Sequence, residues 1–181
     1  MMELAYITGN ETKFNEAKQI LGDIVWVKVD LPEIQSLDPK EVIMAKVKEA
    51  TRYRETFIVE DVSLHLNCIK GLPGPFVKWF LSAIGTEGIY ELVNKYGDYR
   101  AQVTCSVCYS AGENELFFFE GTVKGEIVKP DSNSNFSWNS LFKPLGSKNA
   151  LSVLASAEGN KISPRGIALK KLLEFLRTRT K

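Results

Sequence analysis

The sequence predicts an α/β protein with a mixed β-sheet. Helical and strand-like segments alternate near both ends of the chain, and two long strand-like segments follow each other between them. Alternation favours parallel strands with helices packed on the sheet, whereas two consecutive strands joined by a short turn pair antiparallel. The 181 residues are 44% apolar and 25% charged, so we expect a single domain, covering residues 1–181, with a substantial core.

The first two strand–helix units have recognisable ends. The strand-like segment Leu4–Ile7 leads into a helix whose apolar face stops before Gly22, and Ile24–Val29 is again strand-like. The second helix begins at Asp38-Pro39-Lys40-Glu41, where the aspartate is a good N-cap, the proline suits the first helical position and the glutamate fits a capping box. We expect this helix to continue to about Arg54.

The same patterns predict the elements of the remaining chain. The predicted strands are Thr56–Glu60, Leu64–Asn67, Ala101–Ser110 and Glu115–Val128, the last two forming an antiparallel pair around Gly112. The predicted helices are Phe76–Ala83, Thr86–Tyr96 and a final helix from Ser163 to about Arg177. The segment Lys129–Lys148 is polar and rich in turn residues, so we predict no element there.

Composition and charge narrow the function. The formal net charge of +1 argues against binding to nucleic acid or an anionic membrane through overall charge, so any anion site must be a local cluster. No apolar stretch is long enough to span a bilayer, and three cysteines fit a reducing compartment, so we expect a cytoplasmic protein. Cys105 and Cys108 lie three residues apart on a predicted strand, and we expect them on opposite faces, not as a metal or redox pair.

The most informative segment is Thr8-Gly9-Asn10-Glu11-Thr12-Lys13, which joins the first strand to the first helix. Gly9 allows a tight backbone turn, and Asn10 is a good N-cap for a helix whose first amides can bind an anion. Lys13 adds a positive charge one turn into the helix. The segment predicts a phosphate-binding loop; an ordinary strand–turn–helix junction with a surface lysine is the alternative.

Two adjacent carboxylates, Glu60 and Asp61, come at the carboxyl end of a predicted buried strand, where α/β folds commonly bind ligands. Burying both is costly unless a cation lies beside them. Mg²⁺ is such a cation, because it accepts carboxylate and phosphate oxygens together, and a solvated acidic turn is the alternative. Glu33, which follows Leu31-Pro32 in a stiff loop, is a further carboxylate candidate.

Three other segments carry candidate binding groups. The loop Gly71–Pro75, with two glycines and two prolines, can hold Lys78 at a fixed distance from a ligand. The segment Asn135–Asn139 offers an aromatic ring and amides, as base stacking and edge recognition require, although Trp138 could equally anchor the loop on the core. Arg165 lies in the first turn of the last helix, where the helix dipole disfavours a cation, so we expect an anion or a carboxylate as its partner.

Six motifs occur in the order and at the separations typical of one family. They are Thr8-Gly9-Asn10 with Lys13, Asp30-Leu31-Pro32-Glu33, Val59-Glu60-Asp61, Gly71-Leu72-Pro73-Gly74-Pro75 through Lys78-Trp79-Phe80, Phe136-Ser137-Trp138-Asn139, and Ala157-Glu158 leading to Ser163 and Arg165. On these motifs the chain resembles, nearly end to end, the inosine triphosphate pyrophosphatase family. The resemblance implies an elongated α/β fold of two lobes with the active site in the cleft between them, and usually a homodimer.

The resemblance also implies a reaction. Members of the family hydrolyse non-standard purine nucleoside triphosphates, such as ITP, dITP and XTP, to the monophosphate and pyrophosphate in the presence of Mg²⁺. Glu33 and Asp61 match the positions that bind the metal, and Asp61 also matches the general base. The matched substrate positions are Thr8, Gly9, Asn10, Glu11, Thr12, Lys13, Lys46 and Lys78 on the phosphate side, Val62 through its backbone, and Phe136, Ser137, Trp138, Asn139, Lys161, Pro164 and Arg165 on the base side.

Three positions depart from the family pattern, all of them on the base side. Asn139 stands where aspartate is usual, Pro164 replaces the histidine of a Ser-His-Arg motif, and Gly159 falls where a lysine is usual, with Lys161 nearby as a substitute. We expect pyrophosphatase chemistry to survive and base discrimination to be relaxed or shifted. The alternatives are a nucleotide-binding protein of this fold with altered base specificity or without catalysis, and a related enzyme of modified pyrimidine nucleotides.

Overall fold

A mixed β-sheet organises the structure, a computed structural model that describes residues 3–112, 115–130, 137–154 and 156–179. Seven strands from these residues join in it. They are β1 (Ala5–Ile7), β2 (Val25–Val27), β3 (Thr56–Leu66), β4 (Pro73–Gly74), β5 (Arg100–Ala111), β6 (Leu116–Ile127) and β7 (Phe142–Pro144). The order across the sheet is β2-β1-β3-β5-β6-β7, and β4 pairs with β3 beside this path.

The sheet has a parallel part and an antiparallel part. β1 runs parallel to both β2 and β3, as expected for strands separated by helices. β3, β5, β6 and β7 pair antiparallel in that order. The predicted α/β class with a mixed sheet and flanking helices is therefore confirmed.

Helices cover both faces of this sheet. They are α1 (Glu11–Leu21), α2 (Pro39–Ala50), α3 (Val77–Tyr96), α4 (Ser156–Ile162) and α5 (Pro164–Arg179). Ile43 of α2 belongs to the core cluster of one face, with Val59 of β3. Phe14 of α1 and Leu169 of α5 belong to the core cluster of the other face, with Ile58 of β3. Adjacent residues of β3 thus serve different faces, as the pleat of a strand requires.

β3 is longer than the sequence predicts. Two short strands are predicted at Thr56–Glu60 and Leu64–Asn67, but a single strand runs from Thr56 to Leu66 and pairs with β5 along its whole length. The residues between the predicted strands read as a polar break, and pairing on β5 overrides that local signal. Glu60 and Asp61 therefore lie in the middle of a strand, and the prediction that they follow its end is wrong.

The strand whose carboxyl end lies beside Glu60 is β1. This short strand pairs with only the first part of β3, with Ala5 opposite Phe57 and Tyr6 opposite Ile58. β1 has therefore ended where β3 reaches Glu60, and α1 begins just beyond it. β3 therefore continues past the end of β1, and β1 does not pair with that part of its edge.

The predicted start of α2 is confirmed except for its capping box. Asp38 Oδ1 accepts a hydrogen bond from the Lys40 amide at 2.8 Å, and proline occupies the first turn. The Glu41 carboxylate, however, accepts a hydrogen bond from the Ser36 hydroxyl at 2.6 Å, and the Asp38 amide donates to the Ser36 hydroxyl oxygen at 3.0 Å. Ser36 thus satisfies the amide that a capping-box glutamate would otherwise bind.

Other element boundaries differ where the local signal is weak. α2 ends at Ala50 instead of at about Arg54. Gly85, with φ 65° and ψ −174°, breaks α3 from within, so the two helices predicted on either side of it are confirmed as two helical segments. β7 and α4 are not predicted from the sequence, because β7 has three residues and depends on pairing with β6, and α4 has seven.

Glycine is required where α5 crosses the sheet. A Cβ on Gly121 of β6 would lie 2.0 Å from the carbonyl oxygen of Pro164 and 2.8 Å from the backbone nitrogen of Ala168. The first turn of α5 therefore rests directly on the backbone of β6. This contact also fixes the position of Arg165, the residue that follows Pro164.

The two cysteines of the C-x-x-C segment lie on opposite faces, as predicted. Cys105 belongs to the core cluster of the α1 and α5 face, and Cys108 to that of the α2 face. Both are free thiols, and burial raises the pKa of Cys108 to about 12. Among the described helices, none combines the length and the apolar character needed to cross a membrane.

Candidate active site

A cavity of about 1170 Å³ opens at the end of β1. It is lined by the β1–α1 junction, the loop that contains Glu33, the middle of β3 and the start of α3. Residues 137–140 and 151–154 and the α4–α5 junction also line it. The cavity therefore brings together segments that are far apart in the sequence.

The predicted phosphate loop forms one wall of this cavity. Asn10 caps α1, since its Oδ1 accepts a hydrogen bond from the Lys13 amide at 3.1 Å. Thr8 Oγ1 accepts a hydrogen bond from the Asn10 amide, also at 3.1 Å. A Cβ on Gly9 would lie 2.0 Å from Asp30 Oδ1, so glycine is needed where this carboxylate packs against the loop. The lining residues of the loop are Thr8, Gly9, Asn10, Thr12 and Lys13, whereas the exposed Glu11 does not line the cavity.

Two carboxylates of the cavity meet at one buried ammonium group. Lys46 Nζ lies 2.6 Å from Asp61 Oδ1 and 3.1 Å from Glu33 Oε1, and only 4% of Lys46 is exposed. Lys78, whose side chain is largely exposed, has its Nζ 3.5 Å from Glu33 Oε2. Lys46, predicted as a phosphate contact, is thus the shared counter-ion of both predicted metal ligands.

Burial and charge set the proton affinities in this group. Burial raises the pKa of Asp61, and the positive charge of Lys46 only partly opposes the rise. Burial also acts on Glu33, but Lys46 and Lys78 bring its pKa below the ordinary value. The two carboxylates in turn hold the pKa of Lys46 above its ordinary value in spite of burial. The pKa of Asp61 is therefore raised above its ordinary value, whereas that of Glu33 is lowered.

The donor set fits a divalent ion of the magnesium type. Asp61 Oδ2 is buried and has no hydrogen-bond partner within the described part of the chain. That part contains no group of three or more His, Cys, Asp or Glu side chains that could hold a metal. Mg²⁺ commonly takes one or two carboxylates and completes its shell with substrate phosphates and water, so the pair Glu33 and Asp61 suits it.

Glu60 lies at the centre of a second charged cluster, on the other face of β3. Its carboxylate accepts hydrogen bonds from Arg165 Nε at 3.0 and 2.9 Å and from Arg165 Nη2 at 2.9 Å, and Lys13 Nζ lies 3.1 Å from it. Arg165 Nη1 also donates to Glu16 at 2.5 Å. We call Glu60, Lys13, Arg165 and Glu16 the Glu60 cluster. The expectation of a carboxylate partner for Arg165 is confirmed.

Sequence reasoning missed the roles of Glu60 and Glu16. Glu60 was recognised only as a costly buried charge beside Asp61. Strand alternation could have separated the two carboxylates, but only for a strand that continues through both. Glu16 carried no signal of its own, because a glutamate in the middle of an amphipathic helix is ordinary. Asp30, whose side chain packs against Gly9, was likewise noticed only as part of a motif.

Most residues of the predicted base side line the same cavity as the phosphate loop. Ser137, Trp138 and Asn139 enter a short 3₁₀ turn, and the Trp138 ring packs edge-on against Phe142 at 6.4 Å. Asn139 Oδ1 is buried without a hydrogen-bond partner in the described residues. The lining residues of this side are Ser137, Trp138, Asn139, Pro164 and Arg165, and Val62 and Lys78 line the cavity between the two sides.

Two predicted residues of the base side fall elsewhere. Lys161 of α4 is exposed and does not line the cavity, although Gly159 and Asn160 do. Phe136 lies outside the described residues. Ser163 caps α5, since its hydroxyl oxygen accepts a hydrogen bond from the Gly166 amide at 3.0 Å, and Pro164 follows at the first helical position. Proline therefore costs the cap no hydrogen bond.

Two curated proteins and a solved structure are similar to nearly the whole chain. The inosine triphosphate pyrophosphatase of Schizosaccharomyces pombe is 38% identical over 181 aligned residues, covering 97% of this chain and 96% of the relative. That of Pyricularia oryzae is 41% identical over 172 residues, covering 92% and 89%. The solved Ham1 protein of Staphylococcus aureus has a TM-score of 0.76 at 25% identity, covering 97% of this chain and 99% of that one.

A further solved structure shares the fold. The HAM1 protein of Coxiella burnetii superposes with a TM-score of 0.81 at 21% identity, covering 98% of this chain and all of its own. The sequence model of the Ham1 family matches residues 4–175. The chain therefore belongs to the Ham1 family.

Proposed function

We propose that this protein hydrolyses non-standard purine nucleoside triphosphates, such as ITP, dITP and XTP, to the monophosphate and pyrophosphate, with Mg²⁺ as cofactor. The observation that carries the proposal is the meeting of Glu33 and Asp61 at the ammonium of Lys46, in the same cavity as the capped loop with Lys13. Cationic groups there can neutralise a triphosphate while a carboxylate accepts a proton. Relatives that cover nearly the whole chain are named inosine triphosphate pyrophosphatase, which supports this reaction.

The residues of the site have distinct tasks in this reaction. Thr8, Gly9 and Asn10 shape the loop that receives phosphate oxygens, and Lys13 adds charge. A water molecule adds to phosphorus, the α–β anhydride bond breaks, and the water proton passes to Asp61, whose raised pKa suits a general base. Glu33 and Asp61 would hold Mg²⁺, which supplies charge neutralisation and lowers the pKa of water when bound.

Base recognition is proposed to depend on Asn139. Asn139 lines the cavity, and its buried amide oxygen has no hydrogen-bond partner among the described residues, so it can accept a hydrogen bond from the N1–H of a 6-oxopurine. The amide NH₂ of the same side chain can also donate, which an aspartate cannot do. An amide at this place therefore supports the proposal that the base preference is wider than an aspartate would allow.

A substrate panel with pyrophosphate detection tests the reaction and its selectivity. We expect pyrophosphate release from ITP, dITP and XTP with Mg²⁺ and its loss in EDTA, and measurable release from GTP or ATP. The variant Asn139→Asp is the matched control and should lower release from ATP, because a carboxylate cannot donate a hydrogen bond to N1 of adenine. Sharp rejection of ATP and GTP by the unmodified protein would contradict relaxed selectivity, and ITP binding without pyrophosphate release would favour the non-catalytic alternative.

Removal of the shared ammonium should make the fold depend on a metal. In Lys46→Met, the buried Asp61 carboxylate and the partly exposed Glu33 carboxylate lose their counter-ion, and breaking a buried pair typically costs about 3–5 kcal/mol of unfolding free energy. We expect a lower Tm without metal and a larger rise of Tm on adding Mg²⁺ than in the unmodified protein. Thermal unfolding with and without Mg²⁺ measures both effects.

The matched control is Lys78→Met. Lys78 contacts the same Glu33 carboxylate but its side chain is 65% exposed, and exposed pairs contribute about 0–1 kcal/mol. Its Tm should stay close to that of the unmodified protein. Equal Mg²⁺ responses of all three proteins would count against a metal site at these carboxylates.

Three further expectations extend the proposal. We propose that the chain forms one domain of two lobes, that two copies form a homodimer, and that the protein acts in the cytoplasm without binding nucleic acid or membranes. Sedimentation velocity measures the oligomeric state directly, and a monomer at all concentrations would refute the dimer.

A further inference from the structure

The Glu60 cluster joins the two sides of the cavity. Lys13 belongs to the phosphate loop at the start of α1, and Arg165 belongs to the first turn of α5. Both bind the same carboxylate, which comes from β3 between them. Lys13 and Arg165, which are 152 positions apart in the sequence, are thus both bound by the side chain of Glu60.

The carboxylate of Glu60 is withdrawn from solvent, whereas the ammonium of Lys13 is not. The side chain of Glu60 is 1% exposed and that of Lys13 is 25% exposed. Two cationic groups, Arg165 Nε at 2.9 Å and Lys13 Nζ at 3.1 Å, contact this carboxylate and favour its charged form. The buried carboxylate of Glu60 therefore places a negative charge beside the ammonium of Lys13, which lines the cavity.

The position of this charge is closely determined. Arg165 binds Glu60 through two nitrogens, and such forked pairs fix orientation as well as distance. The Cys105 thiol approaches the same carboxylate at 3.7 Å from β5. Because β3, β5 and α5 all contribute, the carboxylate cannot leave this position without breaking buried hydrogen bonds, which are costly to leave unmade.

We propose that Glu60 is a positioning residue, which holds the Lys13 ammonium at the phosphate loop and fixes it relative to Arg165. The inference rests on the proposed function, since it assigns Lys13 to the phosphates. Lysine has a long flexible side chain, and holding it in place before the substrate arrives removes part of the cost of ordering it. Among the described residues, Glu60 is bound by Arg165 and Lys13, whereas Asp61 on the opposite face is bound by Lys46.

A double-mutant cycle tests this coupling. The four proteins are the unmodified chain, Glu60→Gln, Lys13→Ala and the double variant, each assayed for kcat/KM with ITP and Mg²⁺. Misplacement of a binding group by about 1 Å can cost up to about 100-fold, so we expect Glu60→Gln to lower kcat/KM by about tenfold or more. In the Lys13→Ala background the same substitution should lower it by no more than about threefold, because the group to be positioned is gone.

The matched control is Glu16→Gln. Glu16 also belongs to the Glu60 cluster. Among the described residues, it forms an ion pair with Arg165 and with no other side chain. Its effect should be the same with and without Lys13. Equal factors for Glu60→Gln in the two Lys13 backgrounds would overturn the proposal and leave Glu60 a purely structural residue.

Two further measurements keep the test independent of folding and of hydrolysis. If Glu60→Gln does not fold, Glu60→Asp keeps the buried charge and retracts the carboxylate, and it replaces Glu60→Gln in the cycle. ITP affinity in EDTA is measured for the same four proteins, where we expect the effect of the Glu60 substitution to differ more than about threefold between Lys13 backgrounds. Absence of pyrophosphate release from the unmodified chain would refute the proposed function, whereas additive affinities would refute the positioning role.

Discussion

Asp61→Asn is expected to abolish pyrophosphate release from ITP while ITP still binds. The amide keeps the size of the side chain and can still accept a hydrogen bond from Lys46, which lies 2.6 Å from Asp61 Oδ1. It cannot take a proton from water, and general-base catalysis typically contributes about 10²–10⁴-fold. We expect kcat to fall by at least about 10³-fold, since the metal ligand is weakened by the same change. Pyrophosphate detection measures the rate, and calorimetric titration measures binding.

The control for this prediction is Asp38→Asn. Asparagine caps helices about as well as aspartate, so the start of α2 should persist and the rate should stay unchanged. Asp38 contacts Lys40 and Ser36 at the surface, away from the cavity lining. A fully active Asp61→Asn protein would remove Asp61 from the catalytic role.

Gly121→Ala is expected to be the most destabilising methyl addition in the sheet–helix contact. The new Cβ would lie 2.0 Å from the backbone oxygen of Pro164, and a backbone atom cannot turn aside as a side chain can. Overpacking of this kind typically costs about 1–3 kcal/mol and sometimes more, so we expect about 3 kcal/mol. For a chain of this length that lowers Tm by roughly 6–12 °C. Thermal unfolding followed by circular dichroism measures it.

The same methyl addition at Gly159 serves as the control. Gly159 lies inside α4, and among the described atoms its Cβ would meet Leu154 Cβ first, at 3.9 Å. Alanine is favoured over glycine in a helix by about 0.5–1 kcal/mol, so stability should be equal or slightly higher. Equal Tm values for the two variants would show that α5 can move away from β6 without cost.

Much of the local structure follows from nearby residues. Asn10 and Asp38 cap their helices as predicted because a cap needs only a side-chain oxygen two or three residues from an amide. β3 and β7 could not be bounded from the sequence, because pairing with β5 and β6 decides where they run. Local patterns determine helix starts, whereas strand lengths depend on partners elsewhere in the chain.

The candidate site divides in the same way. The family resemblance implied that the phosphate loop, Glu33 and Asp61 share one cleft, and all three line the same cavity. Sequence reasoning did not find that Lys46 is held by both carboxylates or that Glu60 binds Arg165, because those pairs exist only after the sheet and α5 assemble. The sequence could not place Lys161 for a related reason. The direction of its side chain depends on helix α4, which the sequence does not predict.

The alternation of Glu60 and Asp61 along β3 makes two chemically similar acids non-interchangeable. Exchanging them would preserve net charge and composition, yet the shorter acid would then point toward Arg165 and the longer one toward Lys46. A slip of the strand by a single residue would also turn both acids to the opposite faces of the sheet. Drift between Asp and Glu, harmless at many surface positions, should therefore be rare at this dipeptide in any chain that keeps both charged clusters.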